Sequence, residues 1–310
     1  MTDSPTPSEA VPDVTEVLQS LMPDLRRAQL YGWLMIAAVC GVACVGIYLV
    51  ATTVEKRALQ TIVIGLALAA GLIFMIATHT RRSHERAIMP ILAKTVGLSY
   101  QKDASYYVKG LPARLLPDAH IKGEDYVHGT PGGRSIRMAE VTVETGGKNS
   151  RTLFKGIVAN FRNSVAMPPF FIADEAETGT SFWFGNKLDV DDLVEIRFIT
   201  GETGQTYGVW ASSMAVADHP ALAAVLGVLT NLEYRIGGGA QLYSATSNGE
   251  EMYVALTHKR DLYRVGGLLA PAEEIMDHVT AAYRDLTLPL TIADRLMEAE
   301  KSVGQVLPKG

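Results

Sequence analysis

The chain has almost no cysteine. Cys40 and Cys44 are the only two in 310 residues, so everything beyond position 44 lacks a thiol. That rules out a disulfide framework and a thiolate nucleophile for most of the protein, and it fits a reducing compartment. Aromatic residues are sparse at 7%, and the net charge is a mild −5. Lys and Arg are scattered outside one short region, leaving no basic stripe to displace phosphate counterions. Nucleic acid is therefore not an expected partner. Catalytic signatures are missing as well. No GxSxG elbow occurs, and the glycine-rich stretches at residues 129–135 and 201–206 lack the spacing and the lysine of a phosphate loop. The aspartates at 189, 191 and 192 lack the glycine and distant glutamate of a calcium loop. No cofactor is expected, and the chain reads more as a binding protein than as an enzyme.

Charge is absent altogether from two long stretches. Residues 28–54 carry none; Glu55, Lys56 and Arg57 follow; then residues 58–78 carry none. At ~1.5 Å per residue each run is long enough for a hydrocarbon core of roughly 30 Å. The pattern predicts a transmembrane helical hairpin over residues 28–80, with the lipid bilayer as its first partner. Neither run contains an acid, base or histidine, which argues against transport through these two helices alone. Cys40 and Cys44 share one helix face and read as packing residues. Small-residue steps at Ala37/Gly41 and Ala67/Gly71 would let helices approach closely, on each other or on a second copy in a homo-oligomer.

The flanks set the expected orientation. Arg26 and Arg27 precede the first run, and Arg81, Arg82 and Arg86 follow the second, against Lys56 and Arg57 in the loop. This excess places both termini and the large domain on the cytoplasmic side, with the five arginines at the membrane surface. Residues 1–12 contain no Lys or Arg and three prolines, unlike a secretory signal. Residues 1–27 read as a disordered tail with a short amphipathic segment interrupted by Pro23. Residues 81–97 read as a juxtamembrane stalk helix.

Residues 98–310 are long enough for a core of their own. Period-two alternation predicts strands over 135–145, 151–162, 170–173, 195–200, 206–211, 241–245 and 252–257. Gly146 and Gly147 mark one hairpin turn, and Ser247, Asn248 and Gly249 another. Helical spacing predicts a helix from an Asp218 cap to about residue 234, ended by Gly237 to Gly239. Two more are predicted at 271–286 and 292–302, separated by Pro289. The fold class is therefore α+β: a two-helix transmembrane hairpin, then a cytoplasmic domain of antiparallel strands with C-terminal helices.

Two candidate sites need weighing. His120, Glu124, Asp125 and His128 lie within nine residues, and His120, Glu124 and His128 are the residue types that ligate zinc or iron. Gly123, Gly129 and Pro131 argue against the helix that would align them. On a strand Glu124 and Asp125 point opposite ways, and the alternative is that they cap a turn or pair with Arg134 or Arg137. Phe170, Phe171, Phe182, Trp183 and Phe184 form an aromatic cluster that fits either a core or a recognition surface. His219 and His258 read as surface positions.

The order of short motifs carries a family resemblance. Two N-terminal spans precede Gly123-Glu124-Asp125-Tyr126-Val127-x-Gly129, then Glu140, then Phe154-Lys155-Gly156, and finally Leu242-Tyr243 and Met252-Tyr253-Val254-Ala255-Leu256. This resembles the bacterial membrane proteins grouped as domain of unknown function 3137, over roughly residues 25–290. Residues 170–217 depart from the pattern. The resemblance implies a domain anchored in the bacterial inner membrane and facing the cytoplasm, with no established activity or catalytic residue. The expected function is a membrane-anchored scaffold or interaction module that binds another protein. The alternative is a membrane-tethered enzyme, possibly metal-dependent, seeded at His120, Glu124 and His128.

Overall fold

A first helix, α1 (Val14–Thr53), and a second, α2 (Ala58–Thr95), lie antiparallel and make up most of one unit of the chain. The computed structural model describes residues 14–53, 58–147, 149–163, 167–174, 190, 193–201, 204–232, 240–258, 262–263, 265, 267, 270 and 272–306. These fall into two units: Met1–Thr95 with Tyr263–Arg284, and Val96–Leu262 with Asp285–Gly310.

In the first unit, Met22–Val50 and Gln60–Thr95 are long and apolar enough to cross a membrane, and none of their most apolar stretch is buried. Leu30, Trp33, Val42, Tyr48, Ile64, Leu68 and Phe74 are all exposed. A core helix of a soluble domain hides one apolar face; helices apolar all round suit a hydrocarbon solvent. The chain is a membrane protein. Ala37, Gly41, Ala67 and Gly71 are exposed. The groove between the spans is lined instead by residues such as Ala38, Ala43, Gly65 and Ala69. The small-residue steps therefore face outward rather than closing the hairpin.

Three helices run through a proline, against the sequence expectation at Pro23 and Pro289. α1 runs unbroken through Pro23, α2 through Pro90, and the last helix, α5 (Ala272–Val306), through Pro289. The predicted stalk is thus the continuation of the second span, and the two predicted C-terminal helices are one. An interior proline costs about 3 kcal/mol in an isolated helix. Here tertiary packing offsets it: Leu25 follows Pro23, Ile88, Met89 and Leu92 flank Pro90, and Leu286 and Ile292 flank Pro289, all buried. Residues 263–284 also belong to the helical unit rather than to the domain after residue 98. Gln29 ties them in, its amide donating to the carbonyls of Gly267 and Ala270 at 2.8 Å each.

The second unit is built on a nine-stranded sheet, antiparallel throughout. Its strands are β1 (Leu98–Asp103), β2 (His120–Gly129), β3 (Ile136–Glu144), β4 (Thr152–Arg162), β5 (Phe170–Asp174), β6 (Val194–Thr200), β7 (Thr206–Ala211), β8 (Gln241–Ser247) and β9 (Glu251–Thr257). Their order is β1-β2-β3-β4-β9-β8-β5-β7-β6. The α+β class holds. The short helix α3 (Ser105–Lys109) sits between β1 and β2, and α4 (Pro220–Leu229) between β7 and β8. The cap of α4 is His219, with no side-chain bond, rather than Asp218. Gly237 to Gly239 lie outside the described residues, as do Phe182, Trp183, Phe184, Asp189, Asp191 and Asp192.

The middle strands carry buried side chains on both faces. On one face Ala139, Val141, Val143, Phe154, Val158, Phe171 and Trp210 pack with Tyr107, Leu115 and Leu116. The other presents Met138, Ile157, Phe161, Val254 and Leu256, equally buried. Phe170 and Phe171 are core residues, and His258 is buried rather than on the surface. Each large side chain buried here contributes about 1.5–3 kcal/mol.

Candidate functional site

The segment holding the densest candidate chemistry is β2, an irregular strand. Glu124 pairs with Glu140 and Val127 with Met138, so Asp125 and Tyr126 together oppose the single Ala139. Such a bulge reverses the facing of everything beyond it. Asp125 takes the extra position with φ 57°, a left-handed conformation that aspartate tolerates and β-branched residues do not. Before the bulge, Glu124 shares a face with Glu140. After it, Tyr126 and His128 turn to the face that carries Arg137.

This geometry separates the proposed metal ligands. His120 pairs with Glu144 at one end of β2, and His128 pairs with Arg137 at the other, on the opposite face. Among the described residues no group of three or more His, Cys, Asp or Glu side chains is placed to hold a metal ion. Glu124 and Asp125 pair with neither Arg134 nor Arg137. Lys102 of β1 reaches both, at 3.4 Å from Glu124 and 3.0 Å from Asp125, and the Tyr100 hydroxyl donates to Asp125.

Asp125 is 2% exposed, and burial raises its pKa above the ordinary 3.8 despite Lys102 and Tyr100. The folded chain therefore holds this proton more tightly than the unfolded chain. Its stabilising contribution is complete below 3.8 and is lost as pH rises through the folded value. Asp125→Asn should abolish that slope in a pH series of melting temperatures, because asparagine keeps the left-handed preference and carries no charge. Asp125→Val should cost about 2–3 kcal/mol at any pH through strain at positive φ. Equal melting of the two variants would contradict this account of the bulge.

The motif glycines have a packing role. A Cβ on Gly123 would strike the Val108 side chain and lie 3.0 Å from Ala104 Cβ, so glycine is what lets α3 rest on β2. Gly156 sits still closer to β9, against the Leu256 carbonyl. The Phe154 ring packs edge-on to Tyr243, centroids 5.0 Å apart.

The register assembles a second group of residues from distant parts of the chain. Across one face His128 pairs with Arg137, Arg137 with Asn160, Asn160 with Tyr253, and Tyr253 with Thr246. Arg137 forms an ion pair with Glu251, and the Tyr253 hydroxyl donates to the same carboxylate at 2.6 Å. Tyr126 stacks on Tyr107 and on His128, with centroids 5.1 and 4.9 Å apart. Tyr107 donates to the Val158 carbonyl at 3.3 Å, and Gln101 lies 3.4 Å from the His128 ring. Beside them Tyr106 is 93% exposed.

Burial raises the pKa of Tyr107 and of Tyr126. It pushes Tyr253, helped by Glu251, up to about 12. These hydroxyls therefore stay protonated at neutral pH and serve as donors, not bases. The Glu251 carboxylate is held by Arg137 and Tyr253 together, while the Arg137 and Glu251 side chains keep 36% and 27% of their exposure. The arrangement is a partly exposed aromatic and arginine surface with its polar heads fixed in place. Sequence reading missed Arg137, Glu251 and Tyr253 as a group. The available signal was a polar or aromatic residue near one end of each strand, which only the register converts into a row.

No family model matches the chain, and no curated protein does. Among solved structures, the chain is similar to the mycobacterial trehalose monomycolate transport factor A, TtfA, at 12% identity and a TM-score of 0.35. The match covers 67% of this chain and 96% of that one. Similarity at this level carries no functional information.

Proposed function

We propose that this protein is an interaction module anchored in the bacterial inner membrane, with both termini and the sheet domain cytoplasmic, and that it binds another protein. The observation that carries the reading is the surface around Tyr106, Tyr126, His128, Arg137 and Tyr253. Tyrosine and arginine are the side chains that most often dominate binding energy at protein interfaces. Rigid aromatics with two side-chain torsions lose little entropy on docking, and the Arg137–Glu251–Tyr253 network fixes the polar heads in advance. The excess of arginine at the outer flanks of the hairpin supports the orientation. Within the Gly123-to-Gly129 motif, Gly123, Asp125 and Gly129 occupy sterically or conformationally demanding positions, as does Gly156.

The test is capture from the native membrane. Full-length protein, purified in a mild detergent or nanodisc, is compared by quantitative mass spectrometry with a form ending at residue 96. A near-stoichiometric protein lost with the sheet domain is the expected result. Identical co-purifying sets from the two forms would defeat the proposal.

A further inference from the structure

The helical hairpin contains a cleft with a graded lining. Ala28, Tyr31, Gly32 and Met35 lie on one side of it, along a single face of α1. Residues of α2 from Phe74 to Ser83 line the other. Its volume is about 630 Å³, within the range of ligand-binding pockets. Gly32 provides no side chain to close it, and Thr80 opposite is drawn into its own helix, its hydroxyl donating to the Ile76 carbonyl at 3.0 Å.

Polarity changes along the cleft. Arg82, Ser83 and His79 line one end, and Met35, Phe74 and Met75 the other. Phe74 and Arg82 are eight residues apart on one helix, roughly 12 Å along its axis. The polar end coincides with the arginine belt at the membrane surface. Within that belt Arg81 faces Glu85 at 3.5 Å and Arg27 faces Asp24 at 4.0 Å. Arg82 lines the cleft and makes no ion pair or hydrogen bond among the described residues. Tyr31, Met35, Phe74 and Met75 are exposed.

We infer that this cleft binds one anionic phospholipid, its phosphate at Arg82 and Ser83 and an acyl chain along Met35, Phe74 and Met75. The gradient from cation and hydroxyl to apolar side chains over about 12 Å is that of a glycerophospholipid from headgroup to upper chain. A soluble phosphate would use the polar end only and leave the apolar end wet. The inference rests on the membrane anchor in the proposed function and not on its protein partner.

The test uses full-length protein in phosphatidylcholine nanodiscs containing a trace of phosphatidylglycerol with a photoreactive group in its acyl chain. Adducts are mapped by mass spectrometry. They should concentrate on Met35, Phe74 and Met75, and unlabelled phosphatidylglycerol should compete while phosphatidylcholine should not. Arg82→Gln should lower labelling roughly fivefold, the effect of one surface cation on an anionic headgroup. Arg86→Gln should leave it unchanged, because Arg86 is exposed in the same belt but does not line the cleft. Adducts spread evenly around both spans, or equal losses in the two variants, would overturn the site. Loss of the chain from the nanodisc would sink the anchor as well, so the two failures can be told apart.

Discussion

Gly156→Ala should be the most damaging single-methyl substitution in the sheet domain, leaving little folded protein in the membrane fraction. The added Cβ would collide with the Leu256 carbonyl oxygen and lie 2.9 Å from Thr257 Cα. Both are backbone atoms, so no side-chain rotation relieves the clash. β4 pairs on one side with β3 and on the other with β9, and moving it away from β9 breaks the ladder that joins the two halves of the sheet. Overpacking ordinarily costs about 1–3 kcal/mol; displacing paired backbone puts this case above about 3 kcal/mol, a large part of the 5–15 kcal/mol that holds a typical domain together. Gly146→Ala is the control, since nothing lies within 4 Å of its added Cβ and its backbone is not left-handed. Purified from membranes, the control should melt like the parent while Gly156→Ala melts well below it. Matching melts would show that the β4–β9 contact is looser than the geometry requires.

That contrast illustrates what the sequence discloses. Alternation between residues 135 and 162 marked β3 and β4 to within a residue or two, and the turn at Asn248 and Gly249 marked β8 and β9. The uncharged runs marked the spans. What stayed hidden falls into two kinds. The first is local rules overruled by packing: Pro23 and Pro289 lie inside continuous helices, because the flanking turns are buried well enough to offset the missing N–H. The second is register. β1 is half-exposed and carries Tyr100, Gln101, Lys102 and Asp103, so it has too little apolar alternation to be noticed. The Asp125 bulge has no glycine to announce it. Without that bulge His128 would share a face with His120 and Glu124, and the metal reading would have had its geometry. With it, His128 joins Arg137 instead.

The bulge thus links fold to surface. One extra residue turns Tyr126 and His128 onto the face where Arg137, Tyr253 and Glu251 already meet, and Gly123 lets α3 settle close enough for Tyr107 to stack on Tyr126. The same bulge buries Asp125 between Tyr100 and Lys102, anchoring the edge strand β1. Residues that look like a ligand cluster in the sequence are, in the fold, the framework that presents an aromatic surface.

Tyr106→Ala should therefore separate binding from folding. The side chain is 93% exposed, so its removal costs the fold no more than about 0.5 kcal/mol, as for other surface sites. If it is a central contact for the protein partner, capture should fall by at least about 2 kcal/mol, roughly 30-fold in affinity. Arg137→Gln should reach a similar loss of capture with a measurable drop in stability, because it also removes the positive charge that balances the partly buried Glu251. Met214→Ala serves as the control: also exposed, but beside β6 at the far edge of the sheet. The decisive pattern is partner recovery lost in Tyr106→Ala and retained in Met214→Ala, with all three proteins at equal abundance in the membrane. Retention in Tyr106→Ala would move the docking surface away from this end of the sheet, and loss in Met214→Ala alone would place it at β6.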